Sequence, residues 1–341
     1  MTSLLDLPTA TAADIANAED RLARLLNTRQ DVVLLQGEAI LALEVAARGL
    51  GRPGTRALNI VTGPYGVVFG DWLRESGSEV VDLITGFDEV VGVDVVARAL
   101  AAARFDIVSI VHAEAVTGGV NPMDEIAALV REHGALLVVD AVASLGADPV
   151  TPDAWGADIV AIGPQKMLAG PAGVSALSIS PAAWEALEAN PSAPRGSYLS
   201  LLDLKHAWID PGRTTLPGYV ASLETFALLQ ALDRVEAEGL DQLIQRHRDS
   251  ADASREGLRA LGLRPWIRDD RGAAGVATTF AVPDEGFLER ARAAGARITT
   301  QAPGPLAGKA LRINHTGRAA GVEAVGAELA AYAAALTHRG R

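Results

Sequence analysis

Only three of the 30 basic residues in this chain are lysines: Lys166, Lys205 and Lys309. A bias of that size reflects genome composition, but it makes each lysine worth inspecting. Lysine can lose its proton and form an imine, and arginine cannot. Lys166 has the most suggestive surroundings. It lies in GPQKMLAGPAG, just after an apolar run, where Gly163, Gly170, Pro171 and Gly173 shape a tight irregular loop. Met167, Leu168 and Pro171 leave its ammonium poorly solvated, which lowers the pKa and favours imine chemistry. Asp140 lies 26 residues earlier and follows the apolar run LLVV. A carboxylate at the C-terminal end of a buried parallel strand costs desolvation energy unless it is paired, and ligands bind at that end of such sheets. Alone, Asp140 reads as a loop or N-cap aspartate and Lys166 as a surface lysine on a turn. Together they place an acid and an amine at one sheet edge. A pyridoxal-type cofactor requires that pair, a lysine for its aldehyde and an acid for its pyridinium nitrogen.

The elements that must position these two groups follow from hydrophobic periodicity. Helical spacing is expected over 18–27, 40–50, 67–76, 93–103, 122–133, 221–237 and 240–261. Short apolar strands are expected over 32–36, 56–62, 79–83, 107–112, 135–139, 159–162 and 173–179, two of them closed by Gly-Pro turn signals, Gly63-Pro64 and Gly163-Pro164. The strands alternate with helices and show almost no polar face. That pattern predicts an α/β fold with a mainly parallel sheet covered on both faces. The pattern weakens over 191–213, which is expected to be a long loop. Residues 1–239 are read as a large cofactor-binding domain. Residues 240–341 are read as a smaller α+β domain with strands near 274–282 and 310–314.

Composition excludes several classes. The chain has 341 residues, 49% of them apolar, and a formal net charge of −12. Nucleic-acid coating and polybasic membrane attachment do not fit that balance, and 15 aromatic residues are too few for a base-stacking surface. With no cysteine, disulfides, thiolate metal sites and thiol nucleophiles are impossible. The six histidines, His112, His133, His206, His247, His315 and His338, show no ligand spacing, so no metal is expected; His247 reads as a structural residue on a helix. Residues 1–17 lack the pattern of a signal peptide, and no apolar window is long enough to span a membrane. A cytoplasmic protein is the expectation.

The segments HAEAVTGGVNPMDEIAALVREHGALLVVDAVASLG and ADIVAIGPQKMLAGPAGVS strongly resemble the class V aminotransferases of pyridoxal phosphate (PLP) fold type I, and the resemblance runs from about residue 31 to 335. It implies that Lys166 is the Schiff-base lysine and Asp140 the pyridinium partner. It further implies that Tyr65, in TGPYG, stacks on the cofactor ring and that Thr117 hydrogen-bonds the cofactor's phenolic oxygen. Ser144 and Gln165 match positions near the cofactor phosphate. Thr215 matches a residue reaching the neighbouring subunit's phosphate site, so a homodimer or a dimer of dimers is implied. Arg312, in LRINHTG, matches the residue gripping the substrate carboxylate, a task suited to a guanidinium fork.

Four departures qualify the resemblance. Glu38, in LLQGEAILALE, stands where most relatives have small or hydroxylated residues cradling the cofactor phosphate at a helix N-terminus. A carboxylate there repels a phosphate. A branch of the family that degrades vitamin B6 has this glutamate and acts on unphosphorylated pyridoxamine and pyridoxal. The segments GEAILALEVAA, YGVVFGDW and ANPSAPRGSYLSLLDLKHAW resemble it as well. The expected reaction is therefore amino transfer between free pyridoxamine, giving pyridoxal, and a small 2-oxo acid such as pyruvate, giving alanine. The bound vitamer is then itself a substrate. The alternatives are a PLP-holding aminotransferase of the alanine–glyoxylate or serine–pyruvate type, a related lyase, or a vitamer-binding protein without turnover. Pro303 replaces a second carboxylate-binding arginine of that branch, Val116 replaces a polar residue, and the family's N-terminal Gly-Pro segment has no counterpart in residues 1–17.

Overall fold

The computed structural model describes residues 7–337. His338 and the first six residues of the N-terminal segment lie outside the described residues. In chain order, α1 (Ala12–Leu25) leads to β1 (Asp31–Leu35), α2 (Ala39–Leu50), β2 (Arg56–Val61), α3 (Pro64–Glu75), β3 (Glu79–Ile84), α4 (Val93–Ala102) and β4 (Ile107–Val111). A small hairpin of β5 (Ala113–Glu114) and β6 (Gly119–Val120) precedes α5 (Met123–His133), β7 (Leu136–Asp140), α6 (Pro152–Trp155), β8 (Ile159–Ile162), β9 (Ser175–Ile179), α7 (Pro181–Glu188) and α8 (Leu201–Leu204). The chain then runs through α9 (Ser222–Glu238), α10 (Leu240–Ala260), β10 (Ala277–Ala281), α11 (Phe287–Ala293), β11 (Thr299–Gln301), β12 (Ala310–Asn314) and α12 (Val322–Thr337).

Seven strands form one sheet in the order β1-β9-β8-β7-β4-β2-β3. β3, β2, β4, β7 and β8 are parallel; β9 is antiparallel to both β8 and β1. The central strands β4, β7 and β8 are apolar and buried on both faces because helices cover both sides. One layer of core joins Leu58, Ile60, Val108 and Val139 to α4 and α5. The other joins Val33, Ile107, Val138 and Ile159 to α2, α3 and α7. Edge strand β3 departs from the expected continuous burial, since its residues are half-buried or exposed. A second, antiparallel sheet, β10-β12-β11, packs with α10, α11 and α12 around Phe280, Phe287 and Tyr332.

Two local differences from the sequence expectation have plain causes. Residues 191–213 are not loop throughout. Ser200 caps α8 by accepting the Asp203 N–H at 3.0 Å, and a π-helical turn, Lys205–Ile209, continues it. Buried Leu201, Leu202 and Trp208 hold those turns against the core, and this tertiary anchorage outweighs a weak local period. Helix α1 also begins earlier than expected. Thr11 and Asp14 form a reciprocal capping box, a start signal that precedes the first clear apolar stripe.

Candidate active site

The parallel register brings the chemistry-bearing residues to one sheet edge. β7 ends at Asp140, which pairs with Val111 of β4 on one side and Ala161 of β8 on the other. One residue beyond Ala161, β8 ends at Ile162, and Gly163-Pro164-Gln165-Lys166 follows. The lysine loop is pinned on three sides. Gly170 N–H donates to Pro164 O at 2.8 Å, Arg234 Nη2 donates to Ala169 O at 2.9 Å, and Gly317 packs on Ala169. A Cβ at Gly317 would come within 2.8 Å of the Ala169 Cβ. Ala169 itself takes a left-handed φ of 50°, a conformation that costs a non-glycine residue about 1 kcal/mol or more and persists only where the surroundings impose it.

Lys166 is half-buried. Burial pulls its pKa below the ordinary lysine value, and the carboxylates of Asp140, Glu114 and Glu38 oppose that pull. Asp140 is buried, and Oδ1 accepts the Val142 N–H at 2.9 Å. Burial raises its pKa, with Lys166 opposing. The Lys166 Nζ lies 5.6 Å from the centre of the Tyr65 ring. Tyr65 sits in the first turn of α3, where Pro64 follows the Gly63 cap. Glu38, Tyr65, Ala115, Asp140, Ala143 and Lys166 line a common cavity.

Glu38 is the N-cap of α2. Its Oε2 accepts the Ile40 N–H at 2.8 Å, and its Oε1 accepts from Gln165 Nε2 at 2.6 Å. The carboxylate therefore occupies the positive end of the helix dipole, where an anion would otherwise bind. Arg312, on β12, is half-buried. Its Nη1 donates to Ala115 O at 3.1 Å, while its buried Nε has no hydrogen-bond partner. Burial lowers its pKa, and the facing Tyr65 and Glu114 oppose that.

Other residues singled out from the sequence fall outside the cavity lining. Thr117 is buried on the neighbouring turn, where its hydroxyl accepts the Gly119 N–H at 3.3 Å. Ser144 is fully buried and donates to Ala141 O at 3.2 Å. Gln165 reaches the cavity only through Glu38. Thr215 is exposed on the segment before α9. Pro303 caps a short 3-10 turn, and Val116 is buried with its carbonyl accepting from Thr279 Oγ1 at 2.9 Å. His247 is buried in α10 and hydrogen-bonds Leu243 O through Nδ1 at 2.8 Å.

Sequence reasoning missed Glu114. Its carboxylate is fully buried beside the site, and burial lifts its pKa to about 7, with Asp140 adding to the rise and Lys166 opposing it. Only a weaker form of the signal that singled out Asp140 was present: Glu114 lies three residues beyond the end of the apolar strand β4, in IVHAEAV, and does not close it directly.

A larger cleft lies away from this chemistry, between α1, β1 and residues 196–221, and includes Glu19, Trp208 and Tyr219. It holds neither Lys166 nor Asp140, so the smaller cavity is the candidate active site. Among the described residues no group of three or more histidine, cysteine, aspartate or glutamate side chains is placed to hold a metal, and no helix is long and apolar enough to cross a membrane.

The donor set fits a pyridoxal-type group: an amine of lowered pKa, a buried carboxylate, a covering aromatic ring and a guanidinium with a spare donor. On a seven-stranded, mostly parallel sheet, that set defines a PLP fold type I enzyme. The chain belongs to the class V aminotransferases: residues 2–285 match the family model described as "Aminotransferase class-V". It is accordingly an aminotransferase, in a family that is PLP-dependent. Among curated relatives it is 34% identical to the pyridoxamine–pyruvate transaminase of Mesorhizobium japonicum, over 94% of this chain and 83% of that protein. The crystal structure of pyridoxamine–pyruvate aminotransferase from Mesorhizobium loti superposes with a TM-score of 0.91 at 34% identity, covering 97% of this chain and 85% of that one. An alanine–glyoxylate aminotransferase from Nostoc sp. superposes at 0.88 with 26% identity, covering 97% and 90%.

Proposed function

We propose that this aminotransferase moves an amino group from free pyridoxamine to a small 2-oxo acid such as pyruvate, releasing pyridoxal and an amino acid such as alanine. The observation that carries this reading is Glu38. Its carboxylate is tied at both oxygens across the N-terminus of α2, so the helix end that would cradle a phosphate already holds an anion. Two unit charges about 4 Å apart interact by about 4 kcal/mol near a protein surface, so a phosphate arriving there meets repulsion of that order unless Glu38 moves. The relatives named for pyridoxamine and pyruvate support the same reading.

A pyridoxal-type group, when bound, supplies a carbonyl carbon that accepts an amine and a ring that draws off electrons. Lys166 would hold it and Asp140 would keep its ring nitrogen protonated. Tyr65 covers the cavity and excludes water from one face. With its pKa lowered by burial, Lys166 Nζ is suited to take a proton at one carbon and return it at another. Arg312 offers the free Nε–H and its remaining donors to a substrate carboxylate. We also infer that two copies pair across the larger cleft, whose rim exposes Tyr198 (85%) and Tyr219 (95%). Both tyrosines border one cleft lined with Leu34, Val174, Leu204 and Leu216, and contiguous apolar surface of that kind marks an interaction site; Thr215 lies on the same segment.

The test is to dialyse the purified protein extensively and titrate it with pyridoxal and, separately, with PLP, reading near-visible absorbance. The reading predicts loss of the chromophore on dialysis, regain from pyridoxal and none from PLP. PLP that survives dialysis would overturn it in favour of an alanine–glyoxylate-type enzyme.

A further inference from the structure

Glu114 has no part in the reaction described above, yet its geometry is unusual. The side chain is 1% exposed. Oε1 accepts the Val116 N–H at 3.0 Å, and Oε2 accepts the Tyr65 N–H at 3.4 Å. Tyr65 belongs to the first turn of α3, whose N-cap, Gly63, has no side chain to satisfy the free N–H groups. Glu114 supplies the missing acceptor from another strand. Gly63 makes room for it, since a Cβ at Gly63 would lie 2.2 Å from Glu114 Cγ and Oε2.

The turn that carries Glu114 also holds the guanidinium. The next carbonyl, Ala115 O, accepts from Arg312 Nη1 at 3.1 Å. The one after it, Val116 O, accepts from Thr279 Oγ1 at 2.9 Å, and Gly118 O accepts the Ala274 N–H at 2.9 Å. Residues 114–118 thus tie α3 to the β10-β12 sheet. Tyr65 and Arg312 are thus held at adjacent residues of the turn, Tyr65 by the Glu114 carboxylate and Arg312 by the Ala115 carbonyl. The charged and titratable groups facing Glu114 are Asp140 from β7, Lys166 from the loop after β8, Tyr65 from α3 and Arg312 from β12.

We propose that Glu114 is a positioning residue that sets the Tyr65 ring and the Arg312 guanidinium as one unit, so that ring binding and substrate-carboxylate binding both depend on this single buried carboxylate. The proposal rests on the ring and carboxylate roles assigned to Tyr65 and Arg312 above. It does not depend on which vitamer is used. Two variants disturb the carboxylate by independent routes. Glu114→Gln keeps the shape but sets an amide N–H₂ against one of the two backbone donors. Gly63→Ala keeps the glutamate and displaces it.

The experiment measures three quantities for the full-length protein and each variant: the dissociation constant of pyridoxal, the visible circular dichroism of bound pyridoxal, and KM and kcat with alanine as amino donor. Both variants are expected to weaken pyridoxal and raise the alanine KM together, each by about tenfold, which is the scale of one unsatisfied buried donor, and to change the dichroism. The reference variant Arg312→Lys raises the alanine KM and leaves pyridoxal affinity unchanged. If both Glu114→Gln and Gly63→Ala lower the melting temperature alone, or if one constant moves without the other, the proposal fails. Should Glu114→Gln not fold, Gly63→Ala decides the matter by the same readouts. Should the parent protein bind PLP and not pyridoxal, the vitamer reading fails, and the same measurements with PLP still test Glu114.

Discussion

Two helix N-termini face this active site, and each ends on a glutamate carboxylate. At α2 the carboxylate is local. Glu38 is the cap residue itself, exposed to solvent and tied to Gln165. At α3 it arrives from elsewhere. Glu114 reaches across from β5, fully buried, because the cap position is a glycine. The same chemistry at the same kind of site thus has two consequences. An exposed cap is one rotamer away from solvent, so it can govern which anion approaches while costing the fold little. A buried acceptor cannot be moved without leaving N–H groups unpaired, so it governs geometry.

Several experiments would sharpen that contrast. Both carboxylates face Lys166, so its removal should produce the largest effect. Lys166→Ala is expected to lower kcat by about a thousandfold or more, measured as alanine formed from pyridoxamine and pyruvate. An undiminished rate would remove the lysine from the chemistry. Next in size, Glu38→Ser replaces the anion at α2 with a hydroxyl of the kind that cradles phosphate. The ratio of PLP to pyridoxal affinity is expected to rise by about a hundredfold or more, the equivalent of roughly 3 kcal/mol of relieved repulsion. An unchanged ratio in competitive titration would mean that Glu38 does not set the vitamer.

Burial holds Glu114 up to about 7, above an ordinary value of 4.5. A carboxylate that binds its proton more tightly when folded stabilises the fold fully below pH 4.5, and that contribution disappears as the pH rises through 7. Glu114→Gln should therefore flatten the decline in melting temperature between pH 4.5 and 7, by an amount equivalent to at most about 3 kcal/mol. The buried His112, His247 and His315, lowered to about 3, 4 and 3 by desolvation, act in the other direction. Their contribution is present above pH 6.5 and is lost as the pH falls towards those values. The glutamate's share is therefore the difference between parent and variant at each pH. The smallest effect belongs to the exposed cap: Glu38→Ala should cost about 1 kcal/mol in denaturant unfolding. A loss several times larger would erase the distinction between the two helix ends.

What could be read from the sequence follows the same division. Asp140 and Lys166 were legible because each lies just beyond an apolar strand, and strand ends and Gly-Pro turns are local signals. The apolar runs also made the mainly parallel sheet legible, and with it β12 of the second, antiparallel sheet at 310–314. The turns of 201–209 were not, because distant packing and one serine cap hold them. Glu114 stayed hidden for a related reason. Its partner Tyr65 is 49 residues away, and nothing near position 114 records that the residue at 63 lacks a side chain. The Arg312–Ala115 contact spans 197 residues.

Local residue pattern dictates which residue types reach the sheet edge, since a buried strand has one period and must end where its apolar run ends. It also places an acid at the start of α2. Where the two glutamates point is set by packing between distant elements. The direction of Glu38 depends on Gln165 standing opposite, which the order of β1, β9 and β8 arranges. The burial of Glu114 depends on β2 and β4 lying side by side, so that the turn after one meets the helix after the other. The cost of a buried carboxylate is set by the groups around it, and those groups come together only through strand order and register.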